Sequence, residues 1–242
     1  LSFKPRPTDR KEEPIERTVN TFRTGDKFKI GSLEVEPIHV DHSVPGAYGF
    51  IIYTSSGPVV YTGDIRLHGT KPEMTQDFVK KAIEVKPIAL VAEGTRITDL
   101  ETEESEQKVY NECNEHVSKT DKLAIADFNF KDMDRFRTFY NVAKENGRKF
   151  VININNTLFL EHLSQDPKLN VPKPDDENIL IYKPKKSVWK KFEKEYLDYP
   201  NALTAEELAK NQENLLCAFS FWDFGAIIDM KPKSGGLYLH SL

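Results

Sequence analysis

The stretch HVDHSVPGAYGFIIYTSSGPVVYTGD, residues 39–64, organises this chain. It contains two apolar runs, at 49–54 and 58–61, whose length and composition are typical of β-strands. The Ser55-Ser56-Gly57 loop between them supplies the glycine that a tight hairpin turn needs. We therefore predict a hairpin that returns the chain to the sheet edge from which it started.

A histidine and an aspartate stand at the two ends of this hairpin. His42 lies in the loop that enters the first strand and Asp64 in the loop that leaves the second, so we expect both side chains at one edge of the sheet. An imidazole and a carboxylate held together are half of a metal site. Each residue also has an ordinary interpretation, because lone loop histidines are usually surface residues and Thr-Gly-Asp is a common turn.

Two more histidines flank this pair without a ligand pattern. Strand alternation would place the side chains of His39 and His42 on opposite faces, which favours for His39 either a packing role or a supporting role behind the metal ligands. His68 follows Asp64 by four residues, and its spacing assigns it no role.

The rest of the chain alternates short apolar runs with helical patterns. Gly31-Ser32 indicates a second hairpin upstream, and the proline-rich residues 1–20 indicate an extended connector. A composition shift near residue 98, with a capping box at Thr98–Glu101, indicates a domain boundary. The strands predicted beyond it are 123–126, 150–154, 179–182, 215–219 and 237–240. Strand–helix–strand repetition predicts a mainly parallel sheet flanked by helices, so the fold class is α/β.

A carboxylate stands at the exit of another apolar run. Residues 88–92 are continuously apolar, which predicts a strand buried on both faces, and Glu93 follows directly. Open α/β sheets build their sites at the carboxyl ends of strands. Glu93 is therefore a candidate site residue, with a helix cap or a salt bridge as the alternative.

Polar and aromatic residues in the second half offer candidate contacts to nucleic acid. Asn129, Lys131 and Arg135 lie where a strand gives way to a helix N-terminus, a natural place for a phosphate. The alternative is an ordinary helix start that Asp132 caps, with a solvated Arg135. Helical spacing favours core packing over base stacking for a nearby aromatic set, which comprises Phe219, Phe221, Trp222 and Phe224.

Composition places the 242-residue chain among soluble proteins. Charged residues make up 30%, and the net charge of −4 argues against a general nucleic-acid coat protein. No apolar run approaches the roughly 20 residues that cross a bilayer. Cys113 and Cys217 lack metal-binding spacing and are predicted to be core thiols, so we expect a cytoplasmic protein. The chain begins at Leu1 rather than methionine, which suggests that an N-terminal part is missing.

Two motifs resemble the metallo-β-lactamase fold, in the form found in the β-CASP nucleases of the ribonuclease J type. His42-Ser43-Val44-Pro45 resembles the third motif of that fold, and Thr62-Gly63-Asp64 resembles the fourth, with Asp64 22 positions after His42. Val91-Ala92-Glu93-Gly94-Thr95 resembles the acidic first motif of the β-CASP group. The resemblance covers most of the chain, and the segment from His42 to Asp64 is its specific part.

This resemblance implies a domain organisation and a chemistry. Residues 1–98 would be part of a metallo-β-lactamase αββα domain, and residues 99–242 a β-CASP cap. His42 would bind one zinc ion, Asp64 would bridge two, and Glu93 would support the centre and its proton transfers. The implied reaction is hydrolysis of phosphodiester bonds in RNA, with single-stranded DNA as a further substrate and a homo-oligomer left open.

Motifs of that family are missing on both sides of this segment, including the later histidine motifs that follow the inserted domain in the family. No His-x-His-x-Asp-His string occurs in the chain, and in the family it precedes the position of Leu1. Two ligands cannot hold a centre that uses about three protein ligands per zinc. We therefore expect the middle portion of a longer enzyme, with zinc absent or weakly bound and no activity of the chain alone. The alternatives are a hydrolase of small molecules and a non-catalytic nucleic-acid-binding fragment.

Overall fold

Two sheets organise the part of the chain that the computed structural model describes, residues 18–95 and 105–241. By packing, these residues form two units. The first unit comprises residues 18–40, 47–65 and 73–95, and the second comprises residues 41–46, 66–72 and 105–241. Two short loop segments of the N-terminal half therefore pack with the second unit.

The sequence-predicted boundary lies outside the described residues. Both the division at residue 98 and the capping box at Thr98–Glu101 fall in that part of the chain, as does most of the connector at 1–20. The assignment of 1–98 and 99–242 to two domains stays a prediction.

The first unit is a five-stranded sheet with one helix on it. The strands are β1 (Phe28–Ile30), β2 (Leu33–His39), β3 (Tyr48–Thr54), β4 (Gly57–Tyr61) and β5 (Ala89–Val91), and the helix is α1 (Pro72–Glu84). Sheet order follows chain order; β1 to β4 are antiparallel, whereas β5 runs parallel to β4. Both predicted hairpins are confirmed, since Thr54 pairs with Gly57 and Ile30 pairs with Leu33.

Strand alternation gives this sheet two apolar faces. Ile51 and Val60 are fully buried against Phe78 of α1. Gly49 allows the helix to come close, because a Cβ there would lie 2.4 Å from the Phe78 ring. On the opposite face, aromatic and aliphatic side chains line a groove, among them Phe28, Val35, Phe50 and Ile52.

The prediction that residues 88–92 form a strand buried on both faces is wrong. The strand exists as β5, but Ala89, Leu90 and Val91 are all exposed, Leu90 by 63%. β5 is the edge strand of its sheet, so no described strand covers its outer side. A continuous apolar run predicted the strand correctly, and the position of that strand in the sheet decided its burial.

The second unit is a six-stranded parallel sheet with helices on both faces, as the alternation predicted. Its strands are β6 (Ala124–Phe128), β7 (Lys149–Asn153), β8 (Ile179–Lys183), β9 (Ala202–Thr204), β10 (Leu215–Ala218) and β11 (Leu237–Ser241). They are ordered β11-β6-β10-β7-β8-β9, and every neighbouring pair is parallel. The sequence analysis missed β9, a three-residue edge strand that runs directly into a helix cap at Thr204.

Most helices of this unit start at identifiable side-chain caps. The helices are α2 (Glu106–Ser118), α3 (Met133–Glu145), α4 (Ile154–Ser164), α5 (Lys191–Leu197), α6 (Ala205–Leu208) and α7 (Phe224–Met230). Asp132 caps α3 and Asn153 caps α4, each through a side-chain oxygen that accepts backbone N–H groups. A new helix therefore starts at or near the carboxyl end of a strand, where α/β proteins place their sites.

Two cores lie on opposite faces of the parallel sheet. Phe150 and Ile152 of β7 pack with Phe136 and other side chains of α3, whereas Val151 packs with the cluster on the other face. Cys113 and Cys217 are both buried, as predicted. Burial raises the pKa of the Cys113 thiol to about 11, so it stays protonated at neutral pH.

No helix in the described part of the chain is long and apolar enough to cross a bilayer.

Candidate functional site

In the first unit, hydrogen bonds join the loop that carries Asp64 to the loop that carries Glu93. They leave the parallel strands β4 and β5 at neighbouring carboxyl ends. Thr62 N–H donates to the carbonyl of Val91 at 3.0 Å, and Glu93 N–H donates to Thr62 Oγ1 at 3.2 Å. A Glu93 carboxylate oxygen accepts the N–H of Ile65 at 2.7 Å. The structure thus gives Glu93 a defined contact, which fixes the backbone immediately after the exposed Asp64.

Gly63 is needed for the shape of this loop. Its φ is +59°, a left-handed conformation that side chains disfavour, and a Cβ there would lie 2.7 Å from the carbonyl oxygen of Tyr48. The glycine of the Thr-Gly-Asp motif is therefore required by the backbone, whatever the chemistry of its neighbours.

We expect Gly63→Ala to destabilise the protein by about 2–3 kcal/mol, since it adds a clash with a backbone carbonyl to the left-handed conformation. Gly31→Ala is the matched control, because Gly31 is in the same unit with φ +61° and no atom within 4 Å of its Cβ position. That control should lose only about 1–2 kcal/mol. Urea unfolding of both variants measures the difference, and equal losses would mean that the Tyr48 contact is unimportant.

His42 belongs to the second unit. It is half-buried in the segment 41–46, whose Ser43 carbonyl accepts the N–H of Met133 at 2.9 Å. Because Asp64 belongs to the first unit, the expected convergence of His42 and Asp64 stays a prediction. His39 ends β2 in the first unit, and its ring lies 4.4 Å from that of Tyr48, which confirms its packing role.

Among residues 18–95 and 105–241, no three or more His, Cys, Asp or Glu side chains are grouped to hold a metal ion. His42 and Asp64 have the donor chemistry that zinc takes, yet the described residues do not complete a zinc site by themselves. Zinc binding by His42 and Asp64, and its expected weakness in this chain, therefore stay predictions.

The second unit contains a buried ionic cluster that the sequence analysis missed. Arg66, with an 11% exposed side chain, contacts three carboxylates. Its Nε lies 3.5 Å from Asp41, its Nη1 lies 4.0 Å from Glu106, and its Nη2 donates to Asp134. Arg135 also contacts Glu106, at 3.2 Å. These five residues, together with Arg137 beside Asp134 at 3.1 Å, are called the Arg66 cluster below.

No short sequence pattern could have revealed the Arg66 cluster. Arg66 and Asp134 are 68 positions apart, and Arg135 and Glu106 are 29 apart. The available signals were weak: Asp41 lies between two histidines, and Arg66 follows the Thr-Gly-Asp motif by two residues.

The candidate phosphate-binding residues Asn129, Lys131 and Arg135 lie in the second unit and differ in exposure and in hydrogen-bond partners. The Asp132 carboxylate accepts the N–H groups of Asp134 and Arg135, so this part of the α3 N-terminus is already capped by protein. Asn129 Oδ1 accepts the N–H of Lys131 at 3.1 Å. The Arg135 guanidinium is in the Arg66 cluster and not solvated, whereas Lys131 is exposed. Their role as a phosphate site stays a prediction.

The prediction that the whole aromatic set packs in the core is wrong. Phe219 is fully buried, but Phe221 is 72% exposed, Trp222 90% and Phe224 57%. The chain forms a 3-10 turn at Phe221–Asp223, capped by Ser220, before α7 begins. The four residues therefore do not share one α-helical face, and the rings of Phe221, Trp222 and Phe224 are exposed.

The two unassigned histidines also have local environments. His68 is exposed, and its carbonyl accepts the N–H of Glu106 at 3.3 Å. The Nδ1 atom of His240 lies 3.5 Å from a carboxylate oxygen of Asp127. The same carboxylate accepts the Tyr238 hydroxyl at 2.6 Å and raises the pKa of that tyrosine to about 12. Neither histidine gains a catalytic role from these contacts.

Comparison with known proteins relates the chain to ribonucleases. It is 27% identical over 138 residues to ribonuclease J of Sinorhizobium meliloti, covering 55% of this chain and 24% of that protein. It is 26% identical over 144 residues to ribonuclease J 2 of Streptococcus pyogenes, covering 56% of this chain and 26% of that protein. The chain thus spans about a quarter of the length of these curated relatives. No family model matches it.

A solved structure has the same fold over almost the whole chain. The crystal structure of a protein of unknown function from Enterococcus faecalis V583 superposes with a TM-score of 0.72 at 22% identity. The match covers 98% of this chain and 51% of that one. Together, the comparisons support a relationship to ribonuclease J and a mixed α/β fold.

Proposed function

We propose that this chain is part of a ribonuclease of the β-CASP group within the metallo-β-lactamase fold, and that its substrate is RNA. The observation that carries the proposal is the similarity to two ribonucleases J over more than half of the chain. The motifs at His42 and Asp64 also support it, because they resemble the third and fourth motifs of that fold and stand 22 positions apart. Single-stranded DNA is a further candidate substrate, and a cytoplasmic location is part of the same proposal.

The open apolar face of the first sheet supports the proposed αββα domain. A groove lined by Phe28, Phe50 and Ile52 lies on the face opposite α1. When two sheets pack face to face, aromatic and aliphatic side chains of this kind are buried between them. We propose that residues 1–98 contribute this half of the sandwich, that residues 99–242 form the β-CASP cap, and that another part of the natural polypeptide supplies the second sheet.

In this proposal His42 and Asp64 are metal ligands and Glu93 supports them. Glu93 holds the loop after Asp64 through the Ile65 N–H, a contact that would keep the aspartate in a fixed orientation. When bound, zinc would polarise the phosphodiester as a Lewis acid. Because the described residues gather no complete ligand group, the remaining donors would come from elsewhere in the enzyme.

Contacts to RNA are proposed for Asn129, Lys131 and Arg135 at the start of α3. Lys131 is best placed for a phosphate because it is exposed, whereas Arg135 already pairs with Glu106. Arg135 would act on RNA only by exchanging that partner.

A hydrolysis assay tests the proposed function. We expect the natural polypeptide that carries this chain to cleave a labelled single-stranded RNA, to stop when a chelator removes its metal, and to recover when zinc is added. A DNA oligonucleotide of the same sequence tests the wider substrate range. A thioester and a lactam, assayed in parallel, test the alternative that the enzyme hydrolyses small molecules.

Hydrolysis of the small molecules without cleavage of RNA would reject the proposal in favour of that alternative. RNA binding without any hydrolysis would favour the non-catalytic fragment. That result would have to hold for the natural polypeptide, because the chain alone is expected to be inactive.

A further inference from the structure

We propose that Arg66 is a positioning residue that fixes the loop carrying His42 to the start of helix α3. The inference rests on the proposed function for its effect on catalysis, because it takes His42 to be a metal ligand. Its structural part, the attachment of the loop through Arg66, can be measured without any activity.

Two contacts join Arg66 to Asp41, the residue before His42. Arg66 N–H donates to the Asp41 carbonyl at 3.0 Å, and its Nε lies 3.5 Å from the Asp41 carboxylate. The same carboxylate accepts the N–H of Gly69 at 3.0 Å. Asp41 is only 3% exposed, so these contacts form where water does not weaken them. Hydrogen bonds and an ion pair therefore join the segments 41–46 and 66–72 at Asp41, the residue next to His42.

The start of α3 holds both segments. The Asp134 carboxylate accepts a hydrogen bond from the Arg66 guanidinium. It also accepts hydrogen bonds from the Thr70 N–H at 3.1 Å and from the Thr70 hydroxyl at 2.5 Å. The neighbouring Met133 N–H donates to the Ser43 carbonyl at 2.9 Å. Arg66 is the member of this group that contacts both Asp41 and Asp134, so it connects the loop of His42 to the helix through one planar guanidinium group.

The chemistry of the Arg66 cluster points to positioning rather than to stability. Apolar side chains of similar volume can stabilise a protein as well as a buried ion pair does, but they do not fix direction as an arginine fork does. Within the described residues, Arg66 Nε, Arg135 Nε and Glu106 Oε2 are buried without a hydrogen-bond partner. Arg66 Nε keeps its 3.5 Å ion-pair contact with Asp41 but makes no hydrogen bond there, and buried polar atoms without hydrogen bonds make the cluster costly to keep for stability alone.

Gly69→Ala tests the proposal without removing a charge. A Cβ at Gly69 would lie 2.4 Å from Asp41 Oδ2 and 2.5 Å from Arg66 Nε, so it must push the two side chains apart. Gly225→Ala is the matched control, because Gly225 is also in the second unit and has no atom within 4 Å of its Cβ position. Arg66→Met and Arg66→Lys complete the set, since lysine restores the charge without the fork.

Hydrogen exchange reports on the loop itself. We expect Gly69→Ala and Arg66→Met to speed exchange of the Met133 and Thr70 amides by about tenfold, with Arg66→Lys in between and Gly225→Ala unchanged. Unchanged exchange in both Gly69→Ala and Arg66→Met would overturn the proposal. If Gly69→Ala does not fold, the two Arg66 variants decide the result.

Steady-state kinetics of RNA cleavage by the natural polypeptide report on the site. We expect Gly69→Ala and Arg66→Met to lower kcat by about 100-fold with little change in KM, because a ligand loop displaced by about 1 Å spoils the reacting geometry but not RNA binding. Arg66→Lys should recover part of the loss. A loosened loop with unchanged kcat would overturn the positioning role. If the unmodified enzyme has no activity, the proposed function is rejected instead. The hydrogen-exchange result alone would then test whether Arg66 attaches the loop to α3.

Discussion

Asp64→Asn, made in the natural polypeptide that carries this chain, is expected to lower RNA turnover by at least about 100-fold while leaving the fold intact. Asparagine keeps the shape of aspartate but removes the negative charge that a ligand shared by two metal ions must supply.

The stability of the Asp64→Asn protein should change little. Asp64 is exposed, so its replacement disturbs no core packing, and we expect a shift of at most about 1 kcal/mol in the free energy of unfolding. The loop itself is held by hydrogen bonds of Thr62, Ile65 and Glu93, which involve backbone groups and the side chains of Thr62 and Glu93. Loss of activity should therefore be separable from loss of structure.

Three measurements on each variant decide the question: ribonuclease turnover, bound metal and thermal midpoint. Asp77→Asn is the matched control, because Asp77 is an exposed carboxylate of the same unit, on helix α1, and has no proposed role. It should retain full turnover. Full turnover in Asp64→Asn would refute the metallonuclease assignment, whereas inactivity accompanied by unfolding would make Asp64 a structural residue.

Arg148→Met is expected to cause the largest loss of stability, about 3–4 kcal/mol, through a side chain that has no proposed part in catalysis. Arg148 is 5% exposed and donates to three backbone carbonyls. Its Nη1 lies 2.8 Å from the carbonyl oxygen of Lys122 and 3.0 Å from that of Leu215, and its Nη2 lies 2.5 Å from that of Thr120. Methionine fills similar space but donates no hydrogen bond, so these carbonyls would lose their charged partner.

The Arg148 contacts explain why the effect should extend to the whole sheet. Lys122 and Leu215 stand at the amino ends of strands β6 and β10, and Arg148 immediately precedes β7. One guanidinium thus ties together three central strands at the end of the sheet opposite their carboxyl ends. Burial lowers the pKa of Arg148, but an arginine in this position still stays protonated at neutral pH.

Lys149→Met is the control for Arg148→Met. Lys149 is the next residue and also donates to a backbone carbonyl, that of Glu177 at 2.6 Å, but its side chain is exposed. Water can replace a lost contact there, so we expect a change within about 0.5 kcal/mol. Urea unfolding followed by circular dichroism measures both variants, and similar losses would show that burial does not make the Arg148 contacts important.

Local sequence patterns determined the elements of this fold. The hairpin at 48–61 follows from two apolar runs and a glycine-containing turn, because strand pairing across a short loop depends on adjacent residues only. The parallel direction of the second sheet follows from the alternation of strands and helices, since a helix between two strands returns the chain to run in the same direction. The strand order does not follow from that alternation, because β10 lies between β6 and β7. The same locality made the His42 and Asp64 motifs recognisable, and with them the similarity to ribonuclease J.

The tertiary structure alone decided which surfaces are covered and which charges meet. Leu90 and Trp222 belong to apolar segments, yet both are exposed, because burial depends on what packs against a segment and not on its own composition. Arg66 and Asp134 are far apart in sequence, and folding places the arginine among three acids and attaches the segments 41–46 and 66–72 to α3. Electrostatic partners are set by distance in space, so no periodicity or spacing along the chain could have identified them.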